Sequence, residues 1–252
     1  MSSFYRLAIM GFNAGYTGSL KNSVGLYSDS LGTDIVKFEV GGANESEKVQ
    51  FAVHRKILCN KIPVFKIMFM GGFLEASEQT ATLPEDSPSA FRLLVSWIYT
   101  DRIATETPSA NYYEELTELF FLSEKYQVIT LMDRSIDGII GHFKTSNCIW
   151  SPDTVKLAYE NTHAKSKLRL FASRLVVYAI GNPDILAGTN DWSTENIQNL
   201  LASSSDLIGD VVQLLRGQLG SCAKDPRNLP ACDYHQHGNG EVCPYGGKSS
   251  AI

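Results

Sequence analysis

No stretch of the 252 residues comes near the roughly 18 consecutive apolar side chains that a membrane-spanning helix requires. Cations are also scarce, with 22 Lys and Arg against 27 Asp and Glu, a net charge of −5. Sequence-independent nucleic-acid binding depends on clustered Lys and Arg that displace counterions from phosphate, so this balance argues against it. The N-terminal MSSFYRLAIMGFNAG has one Arg and a short apolar run. It lacks the longer apolar centre and small-residue cleavage site of a secretory signal, so an intracellular location, cytoplasmic or nuclear, is expected. Missing too are a glycine-rich phosphate loop, a nucleophile elbow and an HExxH helix, so no enzymatic activity is expected. Cysteines are few and odd in number, at five. Cys59 and Cys148 fall in apolar helical patterns and read as buried free thiols suited to a reducing compartment, while Cys222, Cys232 and Cys243 cluster near the C-terminus.

What is present is an ordinary globular balance, 44% hydrophobic and 19% charged, long enough for a sizeable core and one or two domains. Residues 1–33 are rich in Gly, Ser and Asn without a sustained period, and read as a disordered arm. Patterning begins at Asp34. DIVKFEV, with Ile35, Phe38 and Val40 as its apolar set, and QFAVH, with Phe51 and Val53 on one side, flank the turn-rich GGANESEK as a β-hairpin. From Arg55 a helical period takes over through Ile57, Leu58, Val64, Phe65, Met68 and Phe69, with Pro63 opening a second helix and Gly71-Gly72 ending it. TATLPED reads as a third strand stopped at Pro84. A helix follows from Ser87-Pro88 with Phe91, Leu94, Val95, Ile98 and Tyr99 on one face, then two more around Tyr112–Phe120 and Met132–Phe143. A few short strands followed by several helices indicate an α+β domain.

After Ser146 only helices are expected, over Pro152–Asn161, Lys165–Ile180, Thr194–Ala202 and Ser205–Leu219, with Ser151 and Ser193 as polar starts. The last places Leu207, Ile208, Val211, Val212, Leu215 and Leu219 on one stripe. From Gly220 the composition is Gly-, Pro- and Asn-rich, and a loosely ordered tail is expected over 221–252.

Residues 34–145 resemble the BTB/POZ family. The resemblance is carried by Asp34, FAVHRKIL at 51–58, VFKIMF at 64–69, GFLE at 72–75, LPED at 83–86, AFRLLVSWIYT at 90–100 and LFFLSEKYQVITL at 119–131, in that order and spacing. It implies a small sheet flanked by a helical cluster, followed here by an all-helical region over 146–220. It also implies self-association and docking of partner proteins, such as cullin scaffolds of ubiquitin ligases or transcriptional corepressors. The match is nearest to short BTB proteins found in many copies in fungi, which also carry a helical region and a Cys/His-bearing tail. The usual BTB dimer trades an N-terminal strand or helix; residues 1–33 show no such pair, which leaves monomer and dimer both open.

Three sets of residues are candidates for function. Phe73-Leu74-Glu75 has the hydrophobic-x-Glu spacing that cullin-binding BTB domains carry after the second helix, an apolar anchor beside an orienting acid. The resemblance assigns Asp34 and Arg55 to a charged pocket near the dimer groove; a purely structural pair is the competing reading. His54, beside Arg55 and Lys56, has no nearby nucleophile and reads as structural. In the tail, Cys232-x2-His235-x-His237-x5-Cys243 supplies four zinc-type ligands. That spacing is not a common zinc-finger pattern and no hydrophobic segment adjoins it, so on sequence incidental thiols in a loose tail are the favoured reading and zinc the other. No other cofactor is expected.

Overall fold

The computed structural model describes residues 31–42, 48–103, 112–182, 190–217, 222–237 and 241–245. The expected N-terminal arm lies outside them apart from residues 31–33. The chain divides into two compact units, Met1–Pro88 and Ser89–Ile252.

The first unit holds a three-stranded sheet in the order β2-β1-β3. β1 (Ile35–Val40) and β2 (Val49–His54) form the expected hairpin, antiparallel, with Phe38 opposite Phe51. β3 (Thr80–Leu83) lies parallel to β1, Phe38 beside Ala81. Successive strand residues point to opposite faces, so Ile35 and Phe38 cannot share one. The inward set is Val36, Phe38 and Val40, all fully buried, and Ile35 faces outward. Gly41 ends β1 at φ +78°, where an added Cβ would sit 2.6 Å from the Pro88 ring.

Three short helices separate β2 from β3: α1 (Arg55–Lys61), α2 (Pro63–Met70) and α3 (Leu74–Glu78). Pro63 opens α2, where its missing N–H leaves no bond unmade. Phe65 and Phe69 stand one turn apart on α2 and meet Phe38 of β1 edge-on, at 5.2 and 5.3 Å between ring centres. This aromatic triad fixes α2 against the sheet and thereby places the segment that follows it.

α4 (Pro88–Thr100) opens where expected. The second unit continues with α5 (Tyr112–Lys125), α6 (Ile129–Ser146), α7 (Pro152–Asn161), α8 (Lys167–Gly181), α9 (Thr194–Ser203) and α10 (Ser205–Gly217). Strands followed by helices make the architecture α+β. α8 starts two residues later than the periodicity suggests because the Ser166 hydroxyl caps it, accepting from Leu168 N–H. Ser151 and Ser193 cap α7 and α9 in the same way. Cys148 is half-buried in the connection between α6 and α7, not inside a helix as the apolar pattern suggests. The apolar stripe of α10 splits: Leu207 and Val211 are buried while Ile208, Val212 and Leu215 remain exposed.

Arg169 of α8 is the buried hub between helices. It donates to the carbonyls of Tyr159 and Thr162, to the Thr162 hydroxyl and to Asp206 at the start of α10, and lies 4.8 Å from the Tyr159 ring centre. The Tyr159 hydroxyl in turn donates to Asp210 at 2.6 Å. α7, α8 and α10 are joined by this one network.

The tail departs from expectation. Among the described residues, Asp225–His237 packs against the helices instead of trailing free. The Tyr234 ring is fully buried, edge-on to Phe171 at 5.3 Å, and its hydroxyl donates to the Pro226 carbonyl at 3.0 Å. Arg174 of α8 pairs with Asp233 at 2.8 Å, and Arg227 donates to the Cys148 carbonyl at 3.1 Å. A glycine- and proline-rich composition lowers intrinsic order, but a single buried aromatic with paired charges on both sides offsets it.

Removing the Arg169 head group leaves two buried carbonyls without their donor. Arg169→Leu is expected to lower stability by about 2–4 kcal/mol, read as a fall in thermal or urea midpoint. Cys59 donates weakly to the Phe65 carbonyl at 3.7 Å, and burial pushes its thiol up, ahead of the opposing fields of Arg55 and Lys66. A raised thiol has less thiolate at neutral pH, so iodoacetamide should modify exposed Cys222 promptly and Cys59 only after unfolding, as peptide mapping would show.

Candidate functional site

Two clusters bring candidate residues together, one in each unit. In the first, α2 ends at Gly71, whose N–H bonds the Ile67 carbonyl at 3.0 Å, and the chain turns through Gly72 into α3. Phe73 is the residue before α3, in extended conformation; Leu74 and Glu75 fall in its first turn, where the sequence suggests a loop. Phe73 and Leu74 are 40% and 67% exposed, and Ile67 and Met70 on the end of α2 are 52% and 62% exposed. Four large apolar side chains are thus offered to solvent within eight residues, with Glu75 half-buried beside them. Carboxylates are also favoured in the first turn of a helix, where N–H groups point outward.

Asp34 and Arg55 do meet: the Arg55 guanidinium binds the Asp34 carboxylate, and Arg55 N–H bonds the Asp34 carbonyl at 2.8 Å. The Asp34 and Arg55 side chains are 61% and 32% exposed, so solvent screens the pair. Its role emerges through Gln79, which sequence reasoning missed. The same guanidinium donates to the Gln79 side-chain oxygen at 3.1 Å, and the Gln79 amide donates to the carbonyls of Ala76 in α3 and Phe69 in α2. Gln79 sits at φ +52°, a left-handed conformation that ends α3. The charged pair and the exposed segment, read separately in the sequence, are one connected device. A non-glycine residue needing positive φ leaves no signature in a single sequence. His54 stands at the junction of β2 and α1.

The second cluster is the tail. The short 3₁₀ turn Ala231–Tyr234 presents Cys232, and the chain then passes His235 and His237 before Cys243. The four ligand atoms of Cys232, His235, His237 and Cys243 all lie within 4.8 Å of one another. His235 is fully buried, and its Nδ1 is 3.5 Å from the Cys243 sulfur. Its Nε2 is 3.1 Å from Asp137 Oδ1, a buried carboxylate projecting from α6. One turn earlier on α6, Asp133 accepts from the Gln236 backbone N–H at 2.8 Å. Burial works against a charge on His235, yet the bonds to Asp137 and Cys243 and the nearby Asp133 together lift its pKa to about 9. The neighbouring Cys243 thiol and burial hold Cys232 above the usual thiol range. Burial also raises the Asp133 carboxyl, with the Gln236 N–H opposing it. The convergence was invisible in spacing alone because the floor of the cluster comes from α6, about a hundred residues upstream.

Residues 37–141 match the family profile described as the BTB/POZ domain. The chain therefore carries a BTB/POZ domain, a protein-interaction fold. It is similar to Kelch repeat and BTB domain-containing protein 4 of Homo sapiens, 28% identical over 100 residues that make up 40% of this chain and 18% of that protein. It is also similar to Kelch repeat and BTB domain-containing protein 8 of Danio rerio, 28% identical over 124 residues, 49% of this chain and 19% of the relative. TD and POZ domain-containing protein 1 of Mus musculus is 22% identical over 190 residues, 75% of this chain and 46% of that protein. The matched stretch is less than half the length of each of these relatives.

The network beneath the exposed segment yields a ranking. Asp34→Ala removes a solvent-screened pair and should change stability by no more than about 1 kcal/mol. Gln79→Ala removes the link to three groups at once and should cost about 1–2 kcal/mol, both read by urea unfolding.

Proposed function

We propose that the protein docks a partner through the segment at the end of α2 and the start of α3, and that this partner is a cullin-type scaffold, making the chain a ubiquitin-ligase adaptor of the short, tail-bearing BTB type. The observation that carries this reading is the group Ile67, Met70, Phe73 and Leu74, large apolar side chains held in solvent beside Glu75 within the BTB/POZ match. Exposed apolar side chains gathered this closely mark a contact surface, since each loses free energy in water that a partner's pocket would return. An aromatic anchor with an acid at fixed offset gives such a surface both strength and orientation. The similarity to Kelch repeat and BTB domain-containing proteins supports the adaptor reading. Substrate contact would then fall to the helices after Ser146 or to the two ends of the chain.

Titration calorimetry with a purified cullin N-terminal domain is the test. Wild type should bind, and Phe73→Ala/Glu75→Ala should weaken binding about tenfold or more, roughly 1.4 kcal/mol. Undiminished binding by the double variant would remove this segment as the anchor. A wild type that ignores the cullin domain but sediments as a dimer would replace the adaptor by a self-associating scaffold.

A further inference from the structure

We propose that Cys232, His235, His237 and Cys243 bind one zinc ion in a closed structural site that clamps the C-terminal segment onto α6. The donor set is two thiols and two imidazoles, the set borderline-soft zinc takes in four-coordinate tetrahedral sites; calcium and magnesium need oxygen ligands instead. The geometry is nearly assembled. Tetrahedral zinc with these ligands places neighbouring donor atoms about 3.3–3.8 Å apart. Cys243 Sγ and His235 Nδ1 already stand at 3.5 Å, and the widest separation in the set is no more than 4.8 Å.

The surroundings are those a metal site needs. A ligating imidazole ordinarily gives its second ring nitrogen to a carboxylate, which fixes the ring and raises its basicity. His235 does this with Asp137 at 3.1 Å while Nδ1 faces Cys243, so the ring is oriented to exchange an Nδ1 proton for a metal ion. Asp133 holds the backbone between the two histidines through Gln236 N–H at 2.8 Å, and the Tyr245 ring stands 5.2 Å from His235. His235 and Cys243 are buried and Cys232 and His237 half-buried. Four protein ligands fill the tetrahedron and leave no position for water or substrate, so the ion is structural. A Cys232–Cys243 disulfide is the competing use of the two thiols, but it would not account for the two imidazoles turned onto the same centre.

The full chain, purified under reducing conditions and dialysed against zinc, should contain about one zinc per chain by mass spectrometry of the metal. Cobalt in place of zinc should give the intense visible bands of a tetrahedral thiolate–imidazole site, a readout that needs no variant. Cys232→Ser and His237→Gln should lose most of the metal, and Cys222→Ser should keep it. Asp137→Asn, altering a positioning residue and no ligand, should weaken zinc about 10–100-fold in competition with a chromophoric chelator. Chelation should expose the stretch around Tyr234 to limited proteolysis, and added zinc should protect it again. Absence of zinc in the reduced wild type would overturn the proposal. So would equal zinc content in wild type and Cys232→Ser, or a stable Cys232–Cys243 disulfide formed in zinc-containing reducing buffer.

Discussion

A charge removed from water must find a partner inside the protein, and the helical unit is organised around that requirement. Arg169 is buried and answers to two carbonyls, a hydroxyl and Asp206, so α7, α8 and α10 are held in one arrangement. Asp133 and Asp137 are buried on α6 among Leu131, Ile136, Ile139 and Phe143, and their partners come from the far C-terminal segment. A hydrophobic surface tolerates many neighbours; a buried carboxylate accepts only donors at hydrogen-bond distance. That selectivity lets a short segment with little apolar surface take a defined place on a helix bundle.

In the strand-bearing unit the organising force is different. Three phenylalanine rings, Phe38, Phe65 and Phe69, lock α2 onto the sheet. The chain leaves α2 through Gly71 and Gly72 with its next apolar residues, Phe73 and Leu74, exposed. The two units thus divide the work: one presents a surface, the other accommodates its own polar interior.

Much of the fold was legible in the sequence because it rests on local periodicity. The hairpin, the proline-initiated α2, the strand at Thr80–Leu83 and the serine caps of α7 and α9 each leave a signature within a few residues. Val36, not Ile35, joins Phe38 and Val40 on the inward face, because apolar identity alone does not fix which face of a pleat a residue occupies. Half of the α10 stripe proved exposed, since amphipathicity states what a helix offers and not what covers it. Of the candidate sites, Phe73 to Glu75 and the Cys/His set were visible as motifs. Gln79 and the α6 carboxylates were not, for they act across folds of the chain that only tertiary structure brings together. The tail reads as loose for the same reason: Tyr234 packs on Phe171 of α8, and its neighbours Asp233 and His235 meet Arg174 of α8 and Asp137 of α6, partners that all lie far upstream.

For the docking proposed at the α2–α3 segment, Gln79 bears on the kinetics of recognition. Its amide ties the ends of α2 and α3 from beneath, so the exposed face is already shaped before anything arrives. A partner that meets a braced surface loses little conformational entropy in settling onto it, and most of the apolar contact appears as affinity instead of being consumed by ordering. Loosening that brace would leave every contacting side chain in place and still slow productive encounter, because only a fraction of the molecules would hold the face in its receptive form at any instant.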